Sequence, residues 1–540
     1  AMVWTRVVVG GTVGASLWLT WKLSLKEPSV PDVQEIHARV PQLISSLSDR
    51  VRGSRTSPIR PLQEVLLRKV DIDSEWLEHT TLDELCDVTF RNIEAAFKPW
   101  RDVSVPEIYT MFGAKTSYDD VRALKVDPVK IPGCRAVQVW ILARHGTRYP
   151  GEAELQCLYN KVPRLRSKIL QNAGLGRGRL SNDVLEDLKN WNIEIHPSHH
   201  NKLTPSGARE SRELAERFKR RFPDLFQPDY HPSLYVFRHT DSSRTKESAE
   251  QFAVGLFGVN IALPLPVKAD PVIKFYKSCK RWLDEVENNV SSRMHRDMFR
   301  KGPEMKKVLE NCRERLGLND LTIDDLLIIY SMCRFEHAFK NDKKSQSGHC
   351  TPWCKLFTKE EIEILEYDED LEYYWTDGYG YDINYQQACP PVKDFLDRFR
   401  SAMSTEDNEP RGVFHFSHSG LLLKVYARLG LYKDAFPLTS QEFDSCKERL
   451  WRSSLIDPFN ANLAMILFNC EGEYKVMTFA QEKPIILPGC PSELCPMTMI
   501  LEKYGPVAEN CNVQEICDGL EYKSKKVKTK FGTTFSRGHL

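Results

Sequence analysis

The chain has 540 residues, enough for one large domain or for a few domains of about 100–200 residues each. Hydrophobic residues make up 41% and charged residues 28% of the chain, a balance that is ordinary for a folded soluble protein. With 75 basic and 74 acidic side chains the formal net charge is +1, so no overall field draws the chain to nucleic acid or to a membrane surface.

The first 26 residues have the pattern of a signal peptide or a membrane anchor. Residues 7–21 carry no charge, and this length suits the apolar core of a signal peptide, whereas a membrane span needs about 20 residues. No small-x-small cleavage site follows cleanly, so an uncleaved anchor stays open, and Lys22 and Lys26 would then favour a cytosolic location for the rest of the chain. The glycosylation sequon at Asn289 favours the lumen. We therefore predict entry into the secretory pathway, with a secreted or membrane-anchored protein as the result.

The cysteine content supports the same compartment. The chain has 15 cysteines, and none lies in the double CxxC array of a zinc site. Together with the apolar N-terminal segment, they favour an oxidising environment and disulfides. The alternative is a cytosolic protein with inert buried thiols. Because the number is odd, at least one cysteine is unpaired or bonds to another chain.

The chain divides by pattern into further segments. Residues 27–104 have apolar positions at helical spacing and predict a helical N-terminal extension of unknown role. Residues 105–500 hold the predicted strands and the motifs that carry chemistry. Residues 501–540 contain two cysteines and end in a lysine-rich tail, which predicts a solvated and disordered terminus.

From residue 105 onward the pattern predicts an α/β fold. Residues 136–143 read AVQVWILA, a β-branched and aromatic apolar run that predicts a central strand. Further strands are predicted at 234–237, 413–417, 462–470 and 474–480. The charged region between 277 and 400 is mainly helical in pattern and predicts an α-helical cap beside the sheet.

The segment after the predicted central strand, RHGTRYP (144–150), concentrates positive charge where the strand ends. Open α/β folds keep their ligands at the carboxyl edge of the sheet, and buried charges at that edge need a partner. Arg144 and Arg148 can bind a tetrahedral oxyanion from two sides, and Gly146 lets a backbone N–H approach it. The nearby cations lower the pKa of His145, which keeps one ring nitrogen unprotonated and nucleophilic. The pattern therefore predicts phosphoryl transfer to His145.

The same heptapeptide matches the Arg-His-Gly-x-Arg-x-Pro signature of the histidine acid phosphatases, and the chain resembles that family. The resemblance implies a histidine-phosphatase-like α/β domain with an inserted α-helical domain. It continues through residues 242–258, where it implies a third phosphate-binding arginine at Arg244. In residues 414–434 it implies that His418 binds phosphate opposite the nucleophile.

Several segments are similar, more narrowly, to the multiple inositol polyphosphate phosphatases within that family: 111–121, 329–339, 351–390 and 456–470. The resemblance runs from about residue 105 to residue 495. It implies removal of phosphates from inositol polyphosphates such as phytate through a phosphohistidine, with 2,3-bisphosphoglycerate as a further substrate. It also implies the endoplasmic reticulum lumen or the extracellular space. The chain ends in SRGHL and not in a retention signal of the Lys-Asp-Glu-Leu type, which favours secretion or membrane retention.

The chain departs from the family pattern directly after His418. Family members carry an acid there, as His-Asp or His-Ala-Glu, which protonates the leaving alkoxide, whereas this chain has Ser419 and Gly420. General acid catalysis is worth about 10²–10⁴ in rate. Three interpretations stay open: another carboxylic acid reaches in from the helical domain, water or Ser419 relays the proton, or the protein binds phosphate esters with weak or no hydrolysis.

A polyanionic substrate needs cations beyond those that hold its first phosphate group. The candidate substrate-binding residues are Lys115, ahead of the catalytic strand, and three residues that follow the catalytic loop, namely Lys161, Arg164 and Lys168. For each of them the alternative is an ordinary solvated charge.

Other functions have less support in the sequence. A phosphoglycerate-mutase-like enzyme would share the Arg-His-Gly core but would need a different, shorter helical insert. A metal-dependent phosphatase would need clustered Asp, His and Glu ligands, and no such spacing occurs, so neither a metal nor another cofactor is predicted. Only the lysine-rich tail points to nucleic acid, and we predict no nucleic-acid partner.

Overall fold

A computed structural model describes residues 107–123, 127–340, 351–404 and 409–518. The signal or anchor segment with its apolar run at 7–21, the extension at 27–104 and the lysine-rich tail lie outside the described residues, so the predictions for them stay predictions. Within the described ranges, no helix combines the length and the apolar character that crossing a membrane requires.

A mixed β-sheet of seven strands forms the centre of the described fold. Its strands are β1 (Cys134–Arg144), β2 (Tyr235–His239), β3 (Gly412–Ser417), β4 (Asn462–Cys470), β5 (Glu473–Ala480), β6 (Lys483–Ile485) and β7 (Leu494–Pro496). The strand order is β2-β3-β1-β4-β5-β6, and β7 pairs with β5. β1, β2 and β3 run parallel, whereas β4 and β5 are antiparallel to their neighbours. The five strands predicted from the sequence are confirmed, and β1 is central as expected.

The hairpin between β4 and β5 turns at Glu471 and Gly472. Glu471 and Gly472 both have positive φ, at 55° and 96°, and a two-residue loop of this kind matches the twist of the flanking strands. Cys470 at the end of β4 faces Cys134 at the start of β1 and forms a disulfide with it. The two central strands are therefore covalently joined at the end of the sheet opposite to the carboxyl end of β1.

Helices cover both faces of this sheet. The α-helices are α1 (Tyr118–Val121), α2 (Glu152–Gly174), α3 (Asn182–Asn190), α4 (Pro205–Arg221), α5 (Ser243–Phe257), α6 (Lys280–Trp282), α7 (Met294–Arg300), α8 (Pro303–Leu316), α9 (Ile323–Lys340), α10 (Lys359–Asp377), α11 (Asp382–Gln386), α12 (Cys389–Ser404), α13 (Ser419–Leu429), α14 (Ser453–Ile456), α15 (Met497–Glu509) and α16 (Val513–Asp518). Helices α6 to α12 fall in the region predicted to be a helical cap. The α/β class with an inserted helical part is confirmed.

Side chains of β1 alternate between two apolar cores, as the period of a strand requires. Val139, Ile141 and Ala143 pack with α4 and α5 in one core. Trp140 and Leu142 join the larger core, which the inserted helices share. Because both faces of β1 are buried near its carboxyl end, the strand is apolar without interruption from Val139 to Ala143, and the charged segment begins at Arg144.

Five disulfides are formed among the described residues, and they favour an extracellular or secretory-pathway protein. Two of them, Cys279–Cys517 and Cys389–Cys511, attach the C-terminal helices to the inserted helical region. The remaining cysteines of the described ranges, Cys157, Cys312 and Cys446, are free thiols.

We expect removal of the Cys389–Cys511 disulfide to destabilise the protein more than removal of Cys490–Cys495. The two bridges close sequence separations of 122 and 5 residues, for which loop-closure entropy gives about 5 and about 2 kcal/mol respectively. The measurement is urea unfolding of the two double Cys→Ala variants under non-reducing conditions. Equal losses in the free energy of unfolding would contradict this ranking.

Candidate active site

Two histidines meet because two neighbouring parallel strands end together. Arg144, the last residue of β1, lies opposite Ser417, the last residue of β3. The residues that come next in the chain are His145 and His418, and their ring centroids are 5.6 Å apart. The carboxyl edge of the sheet therefore brings together the nucleophile candidate and its predicted counterpart, which are far apart in the sequence.

The hydrogen bonding of His145 fixes which ring nitrogen is available for reaction. The side chain is buried, and Nδ1 lies 2.9 Å from the carbonyl oxygen of Gly146. Because a carbonyl oxygen only accepts, Nδ1 carries the hydrogen, and Nε2 of the neutral ring keeps its lone pair. Nε2 is thus the atom that can attack an electrophile.

Arg144 is held by backbone carbonyl groups. Its Nη1 lies 2.8, 2.6 and 3.1 Å from the carbonyl oxygens of Ala114, Asp457 and Pro458, and its guanidinium lies over the ring of Phe459. Its Nε is buried and has no hydrogen-bond partner among the described residues. The guanidinium is therefore fixed in place and keeps a donor for a ligand.

The other two arginines of the site make fewer hydrogen bonds to the rest of the protein than Arg144 does. Arg148 Nη1 donates to the carbonyl oxygen of Tyr149 at 2.8 Å. Arg244 lies in the first turn of α5, and its Nη2 is 3.4 Å from Nδ1 of His418. The buried Nε of Arg244 has no hydrogen-bond partner within the described ranges. Both side chains keep donors that an anion could use.

The pKa values show how concentrated this positive charge is. Burial, followed by the charges of Arg144 and Arg244, lowers the pKa of His145 well below its usual value. Burial and then Arg244 lower the pKa of His418 to about 3. Burial and then the guanidinium of Arg148 lower even the pKa of Arg244, to about 10. Both imidazoles are therefore neutral over the whole physiological range, and the arginines repel each other while no anion is bound.

Neighbouring helices hold the loop that carries His145. The N–H of Gly146 donates to Ser248 Oγ at 3.1 Å, and the N–H of Thr147 donates to a carboxylate oxygen of Glu210 at 2.9 Å. A Cβ on Gly146 would lie 2.4 Å from the carbonyl oxygen of Gly207, so only glycine permits this close approach to α4. The loop is thus fixed from beneath by α4 and α5.

Of the four predicted substrate-binding residues, one is buried near the site and three lie on the surface. Lys115 is buried beside the site and pairs with Glu369 at 2.8 Å. Lys161 and Lys168 lie on the exposed face of α2 and pair with Asp325 and Asp320, at 3.3 and 2.9 Å. Arg164 lies on the same helix and is exposed. Their role in substrate binding stays a prediction.

A cleft of about 420 Å³ adds cations that the sequence interpretation missed. Its charged lining consists of Lys161, Arg296, Arg300 and Arg334 and of four acidic residues, namely Glu154, Asp324, Asp368 and Glu369. Arg334 also pairs with Glu369, the partner of Lys115, so the cleft adjoins the buried lysine. No local pattern marks these arginines, because helices that are distant in the sequence bring them together.

Two carboxyl groups face the dipeptide that lacks the expected acid. The Oγ of Ser419 hydrogen-bonds to Oδ2 of Asp457. A Cβ on Gly420 would lie 2.7 Å from Oδ1 of Asp377, so a larger residue at position 420 would collide with that carboxylate. Sequence reasoning missed both aspartates, although both lie in segments that carry the family resemblance.

Comparisons with known proteins agree with this geometry. The model of the histidine phosphatase superfamily (branch 2) matches residues 137–481. Multiple inositol polyphosphate phosphatase 1 of Drosophila melanogaster is 34% identical over 412 residues, which are 74% of this chain and 85% of that protein. The protein of the same name from Homo sapiens is 28% identical over 450 residues, which are 77% of this chain and 91% of the human one.

Solved structures with the same fold include two at low sequence identity. The phytase from D. castellii has a TM-score of 0.59 at 16% identity and covers 82% of this chain and 97% of its own. The multiple inositol polyphosphate phosphatase of Bifidobacterium longum, in complex with inositol hexasulfate, has a TM-score of 0.56 at 15% identity and covers 76% of this chain and 99% of its own.

We expect Arg244→Gln to weaken the binding of inorganic phosphate by about 10–100-fold. A hydrogen bond to a charged group is worth about 1.5–3 kcal/mol, and the glutamine keeps the polar chain but not the charge. Isothermal titration calorimetry with phosphate measures the effect, and Arg220→Gln on the exposed face of α4 is the matched control. Unchanged phosphate affinity in the Arg244 variant would remove that residue from the anion site.

Proposed function

We propose, since the chain belongs to branch 2 of the histidine phosphatase superfamily, that it is a phosphatase which removes phosphate groups from inositol polyphosphates. The observation that carries the proposal is the neutral, buried imidazole of His145 among three guanidinium groups. Relatives named as multiple inositol polyphosphate phosphatases and phytases support this substrate class.

In the proposed reaction, Nε2 of His145 attacks the phosphorus atom of the ester in line with the leaving oxygen. The P–N bond forms as the P–O bond to the alcohol breaks, and the leaving oxygen takes up a proton. Arg144, Arg148 and Arg244 neutralise the non-bridging oxygens, whose charge is spread over the transition state. His418 binds the same phosphoryl group from the opposite side. Water then hydrolyses the phosphohistidine, releases phosphate and restores the neutral imidazole.

The preference for several phosphate groups is supported by further cations near the site, each of which is paired with a carboxyl group. Lys115 and the cleft lined by Arg296, Arg300 and Arg334 lie beyond the groups that hold the reacting phosphate. A polyanion can replace the acidic partners that these cations now have. In this proposal 2,3-bisphosphoglycerate, which carries two phosphate groups, is a smaller substrate of the same site.

The alternative is a protein that binds phosphate esters and hydrolyses them weakly or not at all. The missing acid after His418 motivates it. It is not favoured, because the named relatives are phosphatases and phytases and because His145 has a free nucleophilic nitrogen.

The five disulfides support a place of action in the secretory pathway or outside the cell. Within that range we propose secretion or membrane retention, with the endoplasmic reticulum lumen as a third location. Mass spectrometry of the mature chain from cultured cells would test cleavage after the apolar run at 7–21 and glycosylation at Asn289.

We expect His145→Ala to abolish phosphate release from phytate and from p-nitrophenyl phosphate, by at least about 10⁴-fold, because no other group supplies the nucleophile. The measurement is phosphate release in a single turnover. In the wild-type enzyme, trapping of an acid-labile phosphoprotein would detect the phosphohistidine directly. Circular dichroism and the Tm control for folding. Turnover that persists in the variant would contradict the phosphohistidine mechanism.

The pH dependence of kcat/KM for p-nitrophenyl phosphate gives a second test. Only the neutral imidazole attacks, and it predominates above its pKa, so a lowered pKa extends activity toward acid. An ordinary histidine would place the acid limb near about pH 6.5, and we expect the limb well below that, because burial and the neighbouring arginines lower the pKa of His145. A limb near pH 6.5 would mean that the arginines do not act on His145 as described.

A further inference from the structure

The proton donor is the part of the proposed reaction that has no assigned residue. The leaving group of an inositol phosphate is an alkoxide, which is too basic to depart without a proton. In the proposed reaction His418 binds the phosphoryl group, and this residue directly precedes α13, so we expect the donor to reach the leaving oxygen near the start of this helix. Ser419 and Gly420 are half-exposed at this place and carry no acid.

Asp377 is one of two carboxyl groups that reach this turn, and its contacts make it a poor donor. It forms an ion pair with the ammonium of Lys424, which is completely buried, and it accepts a hydrogen bond from Thr376 Oγ1 at 3.0 Å. A buried ammonium needs a full negative charge beside it. Both oxygens of Asp377 are therefore already engaged, Oδ1 by Lys424 and Oδ2 by Thr376.

Asp457 has the opposite environment. It is fully buried, its Oδ2 is hydrogen-bonded to Ser419 Oγ, and its Oδ1 has no hydrogen-bond partner among the described residues. Arg144 is near, but the 3.4 Å from its Nη1 to Oδ2 is longer than the 2.6 Å to the backbone carbonyl oxygen of the same aspartate. The guanidinium thus interacts more closely with the main-chain carbonyl oxygen than with the carboxyl group, and it neutralises a negative charge on that carboxyl group only partly.

We propose that Asp457 and Ser419 together replace the missing acid, with Asp457 as the source of the proton and Ser419 Oγ as the group that hands it to the leaving oxygen. This inference rests on the proposed function. Ser419 is the catalytic residue of the pair, because its hydroxyl touches the leaving oxygen, and Asp457 acts through it.

The charges around Asp457 support the protonated form that this role requires. Burial raises the pKa of Asp457 to about 7, and the negative charge of Asp377 adds to the rise. Arg144, the Ser419 hydroxyl and Lys115 act in the opposite direction, and burial outweighs them. The phenols of Tyr373 and Tyr426 also face the group, and their pKa values are raised well above the usual one, so they stay neutral. At acid pH Asp457 is therefore a carboxylic acid.

The proton balance of the step is complete. As the P–O bond breaks, the Ser419 hydroxyl gives its proton to the leaving alkoxide and takes the proton of Asp457 Oδ2. The products are the alcohol, the phosphohistidine, a neutral serine and an Asp457 carboxylate. When water attacks the phosphohistidine, its proton returns along the same path, and Asp457 is protonated again.

The test compares two substrates whose leaving groups differ in their need for a proton. p-Nitrophenolate leaves readily without one, whereas the alkoxide of phytate does not. We expect Asp457→Asn and Ser419→Ala each to lower kcat for phytate by about 10²–10⁴-fold, and to lower kcat for p-nitrophenyl phosphate at least tenfold less. The double variant should be no slower than the slower single variant, because both residues serve one path. Asp444→Asn on an exposed loop is the matched control.

Two further measurements separate a proton relay from a structural role. The wild-type kcat for phytate should fall as the pH rises through about 7, where Asp457 loses its proton, and this limb should be absent in Asp457→Asn. Ser419→Asp in the Asp457→Asn background places a carboxyl group where Ser419 now meets Asp457, and it should restore at least tenfold of the lost phytate turnover. Rescue of this kind is not expected if Asp457 only supports the fold.

The outcomes that overturn the inference are distinct from those that overturn the proposed function. Equal losses of kcat on both substrates in Asp457→Asn and Ser419→Ala, or no loss, would rule out the relay. The proposed function would still stand if the wild-type enzyme forms a phosphohistidine. A selective loss of phytate turnover in Asp377→Asn, with Asp457→Asn unaffected, would assign the proton to Asp377. A wild-type protein that hydrolyses neither substrate and forms no phosphohistidine would instead contradict the proposed function itself.

Discussion

The site depends on positive charge that the protein itself does not neutralise. Three guanidinium groups surround one imidazole, and burial followed by the charges of Arg148 and Arg144 lowers the pKa of Arg244. The ion pair between Arg144 and the carboxyl group of Asp457 is long, at 3.4 Å, whereas the same arginine donates to three carbonyl oxygens at 2.6–3.1 Å. Carbonyl dipoles hold the guanidinium in place without cancelling its charge. The charge therefore remains available for an anion, and it also keeps His145 neutral.

The rest of the fold can be understood as the support for this arrangement. Parallel strands β1 and β3 end at the same edge and place both histidines there. The segment around Asp457 supplies carbonyl groups to Arg144 and the ring of Phe459 beneath it. Helices α4 and α5 hold the loop after His145 through Glu210 and Ser248. Each support comes from a different part of the chain, so the site forms only when the whole domain has folded.

This division explains which features the sequence could predict. The heptapeptide at 144–150 and the strand before it are local, and they were sufficient to predict a nucleophile, two phosphate-binding arginines and the edge of the sheet where these residues lie. Arg244 and His418 required the family resemblance, because a lone arginine or histidine carries no local signal. The central strands could be predicted from their apolar runs, and the helical cap could be predicted from the charged, mainly helical pattern of residues 277–400. The contacts that the sequence could not predict are those between distant acids and bases. Asp457 is 38 residues from Ser419 and 313 from Arg144, and no spacing rule connects them.

The two aspartates near Ser419 and Gly420 explain why neither position carries the acid that the family pattern has there. A Cβ at position 420 would lie 2.7 Å from Asp377 Oδ1, so a side chain there would displace the carboxylate that pairs with the buried Lys424. An acid at 420 would also bring a second negative charge against Asp377. At position 419 the serine hydroxyl hydrogen-bonds to Asp457. A carboxyl group at position 419 would instead lie directly against the carboxyl group of Asp457. A serine that is hydrogen-bonded to a buried carboxylic acid avoids the repulsion between carboxylates at both positions. Asp457 becomes negatively charged only after it has given up its proton, so at most one new negative charge arises beside the leaving group.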